Sequence, residues 1–130
     1  MTDLRRDFTL NSLVELRHQV ERTARDSGLS DLALYRFVVA INEITTNAVR
    51  HGGGHGLLEL WSTSTSLICR ITDRGPGLPP GHRPRPPAAR AVNGRGLWLA
   101  QQGCDDLTIV TGVNGTTITL GAAAGGAAVI

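Results

Sequence analysis

All six prolines of the chain fall in one stretch, residues 75–93 (GPGLPPGHRPRPPAARAVN), and this divides the sequence before anything else is read. Proline offers no N–H and clashes with the preceding helical turn, so this density sustains neither a helix nor a central strand. The flanking segments are free of it and can carry regular structure. Long loops inside a compact domain are usually lids, binding loops or disordered insertions. The segment reads as a mobile loop. A surface insertion without a role is the plain alternative, and the residues at its two ends decide between them.

Upstream lies FVVAINEITTNAVRHGG (37–53), read as the second half of a long helix that begins near Ser30. Phe37, Ile41, Ile44 and Ala48 follow at +4, +3 and +4, which makes one apolar helical stripe. Glu43 and Asn47 sit one turn apart on a different side, and His51 continues their row before Gly52 and Gly53 stop the helix. A carboxylate beside a neutral oxygen donor suits proton transfer next to a bound Mg²⁺. Taken alone, the pair is explained as well by solvation of the outer face.

A first helix is expected in NSLVELRHQVERTARDSG, with Ser12 and Glu15 as a capping box, Leu13, Leu16 and Val20 on its buried side, and Gly28 as its stop. Residues 7–10 suit a short strand ahead of it. LLELWST (57–63) and LICRITD (67–73) read as a hairpin turning at Thr63–Ser66, with Leu67, Cys69 and Ile71 on one face. Beyond the proline-rich stretch, LWLAQQG suggests a short helix. DDLTIVTG and TTITLG then form strands joined at Val113-Asn114-Gly115, a strong hairpin signal. The final GAAAGGAAVI is low-complexity and reads as a tail. The order β-α-α-β-β-loop-α-β-β implies a single domain over 1–120 and a tail over 121–130. Its fold class is α+β, a two-layer α/β sandwich with helices on one face of a largely antiparallel mixed sheet.

Composition narrows the chemistry. All thirteen basic side chains are arginine, which excludes a Walker A loop and the ordinary protein-kinase fold, both of which need a lysine. With only five aromatics and scattered arginines at a net charge of +2, stacking on nucleic acid has little support. Cys69 and Cys104 have no metal-type spacing and read as buried thiols in a reducing compartment. No secretory signal or long apolar run is evident, so the expectation is a soluble cytoplasmic protein without a membrane partner.

Two further stretches carry chemistry. In ITDRGPGL (71–78), Asp73 ends a strand ahead of Gly75-Pro76-Gly77, a type II turn signature. Asp73 is then either a turn former or a carboxylate that accepts from an exocyclic amine while the glycines admit a flat ring. In GRGLWLA (94–100), Gly94 and Gly96 leave N–H groups unshielded at a helix start, a site for phosphate oxygens to which Arg95 adds charge. The plain alternative is a flexible lead-in to a helix anchored by Leu97, Trp98 and Ala100.

In order and spacing, NEITTNAVRHG (42–52), DRGPGLP (73–79), GRGLWLA (94–100) and GTTITL (115–120) closely resemble the GHKL (Bergerat-fold) ATPase superfamily. They span almost the whole chain, and the compact size is most similar to the anti-sigma-factor serine kinases. The resemblance implies ATP and Mg²⁺ as cofactors and residues 75–94 as an ATP lid. Glu43 then matches the general base, and Asn47 the Mg²⁺ ligand. Asp73 matches the carboxylate that reads adenine, with Gly75 and Gly77 shaping its pocket. Gly94 and Gly96 match the glycines that end the lid, next to Arg95 and Leu97, and Thr116 matches a threonine supporting the Asp–adenine contact. It also implies a sigma factor and an anti-anti-sigma (STAS-type) antagonist as partners. Arg5–Val20 and the paired helices are then the expected partner and homodimer surface.

One departure stands out. Several such kinases place an arginine just ahead of the second glycine pair, where this chain has Val92 and Asn93. Arg90 or Arg95 could supply that charge at the γ-phosphate. Without it, the expectation becomes a nucleotide-gated binding module with little kinase activity. The catalytic part of a histidine sensor kinase is less favoured, because its phosphoacceptor histidine needs a separate helical hairpin.

Overall fold

The computed structural model describes residues 3–51, 53–75 and 106–123. Strands β1 (Leu4–Thr9), β2 (His55–Ser62), β3 (Ser66–Asp73), β4 (Asp106–Gly112) and β5 (Gly115–Ala123) form one sheet, and helices α1 (Leu13–Asp26) and α2 (Asp31–His51) lie on one of its faces. The spatial order is β1-β2-β3-β5-β4. Every pairing among the described residues is antiparallel, so the expected mixed component is absent from them. The short helix expected in LWLAQQG lies outside the described residues.

The core follows from strand alternation. Leu58 and Leu60 of β2, Leu67, Cys69 and Ile71 of β3, and Ile118, Leu120 and Ala122 of β5 are all buried on the helix-facing side. Phe37, Ile41, Ile44 and Ala48 of α2 cover them, joined by Leu16, Val20 and Ala24 of α1. Each of the leucine, isoleucine, valine and phenylalanine side chains contributes roughly 1.5–3 kcal/mol by leaving water, the alanines less. The register accounts for this layering: Leu60 faces Cys69, Cys69 faces Leu120, and Ile71 faces Ile118. Phe8 of β1 reaches the same core above Gly56, where a Cβ would stand 2.5 Å from its ring.

The other face of the sheet mixes charged and half-buried apolar side chains, Leu57, Trp61 and Ile68 among them. Glu59 lies between Arg5 at 3.8 Å and Arg70 at 3.0 Å, and the Arg70 guanidinium sits 5.3 Å from the Trp61 ring centroid. Such exposed pairs add only a few tenths of a kcal/mol each, up to ~1 kcal/mol.

Several local expectations meet corrections. β1 starts at Leu4 and Leu10 enters a 3-10 turn (Leu10–Ser12), because the β1–β2 ladder runs from Leu4↔Leu60 to Thr9↔His55. Ser12 does not cap α1 with its side chain. Its hydroxyl turns back instead, accepting from the Thr9 N–H at 2.9 Å and donating to the Thr9 carbonyl at 3.2 Å. The α1 stop is as expected: Gly28, at φ 106°, donates to Arg25 O and Leu29 to Ala24 O, a Schellman ending with Leu29 buried. At the start of α2 the Ser30 carbonyl accepts from Leu34, and Asp31 takes φ 52°, which aspartate tolerates better than most residues. β5 runs to Ala123, into the glycine- and alanine-rich segment, because Leu67 and Ser66 continue to pair with Ala122 and Ala123.

Candidate functional site

Asp73 is the last residue of β3 and shares its sheet face with Leu67, Cys69 and Ile71, so its side chain belongs to the helix-covered layer. Its partner across the β3–β5 ladder is Thr116, which is buried. Asp73 Oδ1 accepts from the Gly75 N–H at 3.0 Å, closing the local turn. Burial pushes the Asp73 carboxyl above its ordinary value of 3.8, with the backbone N–H groups of Gly75 and Thr116 opposing the rise. The turn-forming role is therefore real, and the carboxyl also sits where water is partly excluded, a setting that strengthens any hydrogen bond it accepts.

The Thr116 hydroxyl lies 2.8 Å from that of Thr111 across the β4–β5 hairpin. The hairpin turns at Val113-Asn114, with Gly112 paired to Gly115. Gly115 takes φ 138°, and a Cβ there would overlap the Asp73 carbonyl oxygen, so only glycine lets the hairpin close onto the end of β3. Thr111 escaped the sequence reading. A two-residue Asn114-Gly115 loop would set Thr111 opposite Ile118; the loop is Val113-Asn114 instead, and that one-residue shift brings Thr111 opposite Thr116.

α2 brings the other chemistry. It packs over β2, β3 and β5. A Cβ at Gly53, just past α2, would meet the Gly75 backbone at 3.9 Å. Glu43 and Asn47 are half-buried on α2, while Arg50 and His51 are exposed. Thr45, between them, is buried and satisfies its hydroxyl on the Ile41 carbonyl at 2.9 Å, leaving it no outward role. An open depression of about 790 Å³ is lined by Asp73, Arg74, Thr111, Asn114 and Thr116 among others. Neither Glu43 nor Asn47 is among its lining residues. Gly77, Gly94, Arg95, Gly96 and Leu97, with Arg90, lie outside the described residues.

The described residues are compatible with a Mg²⁺ held mainly by phosphate and water, not with one caged by protein. Among the described residues no group of three His, Cys, Asp or Glu side chains could cage a metal. Mg²⁺ commonly takes one or two protein oxygens and completes its shell with water and phosphate. Asn47 and Glu43 lie one turn apart on α2, both half-buried.

Residues 7–121 match the family model of the histidine kinase-like ATPase domain, and the chain belongs to that family. It is a GHKL-type ATPase domain, a class that binds ATP. A comparison with curated proteins gave no significant match. Among solved structures the fold is similar to the RsbU and RsbW domains of Rv1364c from Mycobacterium tuberculosis, with a TM-score of 0.66 and 22% identity, covering 92% of this chain and 32% of that one. The match thus spans about a third of that chain's length. It is also similar to the mycobacterial sensor histidine kinase MprB (TM-score 0.58, 19% identity, 92% of this chain and 98% of that one). A third likeness is to the catalytic domain of histidine kinase ThkA (TM-score 0.59, 15% identity, 93% and 96%). At these identities the likeness concerns the fold. No helix among the described residues is long and apolar enough to cross a membrane.

Proposed function

We propose that this chain is an anti-sigma-type serine/threonine kinase: it binds ATP with Mg²⁺ and phosphorylates a STAS-type anti-anti-sigma antagonist, regulating transcription by switching partners with a sigma factor. The observation that carries the reading is Asp73, a partly buried acceptor at a strand end, on the sheet face covered by the helix that bears Glu43 and Asn47. The fold shared with the RsbU and RsbW domains of Rv1364c is compatible with that role.

In this reading Asp73 accepts a hydrogen bond from the adenine amino group, and Gly75 and Gly115 keep side chains away from the ring. Thr116 steadies that carboxylate through its backbone N–H and supports the Asp–adenine contact through its hydroxyl, directly or through water. Asn47 holds the cation through its carboxamide oxygen. Glu43 takes the proton from the substrate hydroxyl as that oxygen forms its bond to the phosphoryl group, and ADP departs with the electrons of the broken P–O bond. ATP supplies the phosphoryl group, and Mg²⁺ neutralises charge on the phosphates. Arg90 and Arg95 are the candidates for charge at the γ-phosphate.

The test is transfer to purified STAS-type proteins of the same cell, read as phosphoserine or phosphothreonine by mass spectrometry. Glu43→Ala should abolish transfer and leave ADP affinity unchanged. Val92 and Asn93, where several such kinases carry arginine, favour a second reading, a nucleotide-gated binding module. Nucleotide-dependent partner binding without any transfer, unchanged in Glu43→Ala, would establish it instead.

A further inference from the structure

The outward side of α2 upstream of Glu43 is not dressed as a solvated face. Leu32, Arg36, Val39 and Glu43 follow at +4, +3 and +4, one row along the helix, with Tyr35 beside them. Leu32 is 57% exposed and Tyr35 66%, while Val39 is half-buried. Single exposed apolar side chains are ordinary. Here two large ones and a third, half-covered, run into the carboxylate assigned to proton transfer. The only charge between Leu32 and Glu43 is Arg36, which is exposed and makes no ion pair or hydrogen bond among the described residues.

We propose that this row is the docking strip for the protein substrate of the site: a segment bearing the acceptor hydroxyl lies along α2 with its hydroxyl at Glu43, a carboxylate on Arg36 and an apolar side chain on Leu32 and Tyr35. The inference rests on the kinase reading above and adds where the substrate sits and what chemistry it presents. Arg36, which has no charged partner among the described residues, argues for an acidic partner residue, and continuity with Glu43 argues for a polypeptide that delivers a hydroxyl there. Seven residues of helix separate Arg36 from Glu43, about 10 Å, and an extended chain covers that in about three residues. The acidic residue therefore lies about three positions from the acceptor serine or threonine, and the apolar residue about five.

The experiment measures steady-state transfer to a purified STAS-type protein of the same cell that the unaltered chain phosphorylates. Arg36→Glu and the double variant Leu32→Ser/Tyr35→Ala should each raise KM for that protein about tenfold or more. kcat at saturation, ADP affinity by calorimetry and Tm should be unchanged, since these side chains are exposed and remote from the nucleotide. Arg36→Lys should recover most of the affinity. Replacing the acidic residue about three positions from the acceptor by lysine should restore transfer by Arg36→Glu. Unchanged KM in both variants overturns the docking strip alone, as does a loss of ADP affinity that parallels the rise in KM. No transfer by the unaltered chain to any such protein overturns the kinase reading, and this inference with it.

Discussion

Gly115 stands directly against the backbone of Asp73: a Cβ at Gly115 would overlap the Asp73 carbonyl oxygen and lie 3.0 Å from Arg74 Cα. The position of the Asp73 carboxyl therefore depends on a missing side chain in the neighbouring strand.

Replacing Gly115 by alanine should lower stability by about 2 kcal/mol or more, through both its φ of 138° and the overlap. Gly112, three residues earlier, has open space around its Cβ position, and Gly112→Ala should stay within about 0.5 kcal/mol. Denaturant unfolding of the two variants makes the comparison, and similar losses would show that the Asp73 contact is unimportant.

Asp73→Asn carries a pH signature. A carboxyl whose pKa is raised in the folded protein holds its proton more tightly there than when unfolded. The stability this contributes is complete below 3.8 and is lost as pH rises through the elevated folded value. At pH 7 the ionised group weighs against the fold, so Asp73→Asn, which keeps an acceptor for Gly75, should be at least as stable as the parent. That margin should close as pH falls towards 3.8, followed by thermal unfolding across pH. The same variant should weaken ADP more than tripolyphosphate. Equal losses would leave Asp73 as a turn residue only.

The Thr111–Thr116 hydroxyl pair lends itself to a double-mutant cycle. Thr116→Val should cost about 1 kcal/mol of stability, and coupling to Thr111→Val should be about 0.5–1.5 kcal/mol. Thr116→Val should also weaken ADP more than Thr111→Val does. An ADP affinity insensitive to Thr116→Val would remove its assigned role beside the base.

Asn47→Ala should abolish the Mg²⁺ dependence of ATP binding while leaving the fold intact, because Asn47 is only half-buried on α2. Calorimetry with and without Mg²⁺ reads this directly. Persistent dependence would place the metal ligand elsewhere.

Much of this architecture was legible in advance wherever a local rule was strong. The apolar row Phe37–Ile41–Ile44–Ala48 is buried throughout, and the hairpins expected at Val113-Asn114-Gly115 and Thr63–Ser66 both form, the first turning at Val113-Asn114. What escaped depended on partners far along the chain. Nothing local to Leu4 or Ala123 marks a strand; pairing with Leu60 and Ser66 makes them so. Ser12 had a glutamate three residues on, yet its hydroxyl found the Thr9 backbone first. For the site, helix spacing brought Glu43 and Asn47 together, whereas Asp73 facing the helices is a consequence of its parity with Ile71 and Cys69 in the ladder.

α2 is a single uninterrupted helix from Asp31 to His51. A substrate held at its first turns and a cation held at Asn47 would grip one stiff rod at two points, so whatever tightening nucleotide confers on the substrate, the substrate must return to nucleotide in equal measure. Under the proposed kinase reading, a docked substrate would then raise the equilibrium affinity for a non-transferable ATP analogue by the factor by which the analogue raises its own.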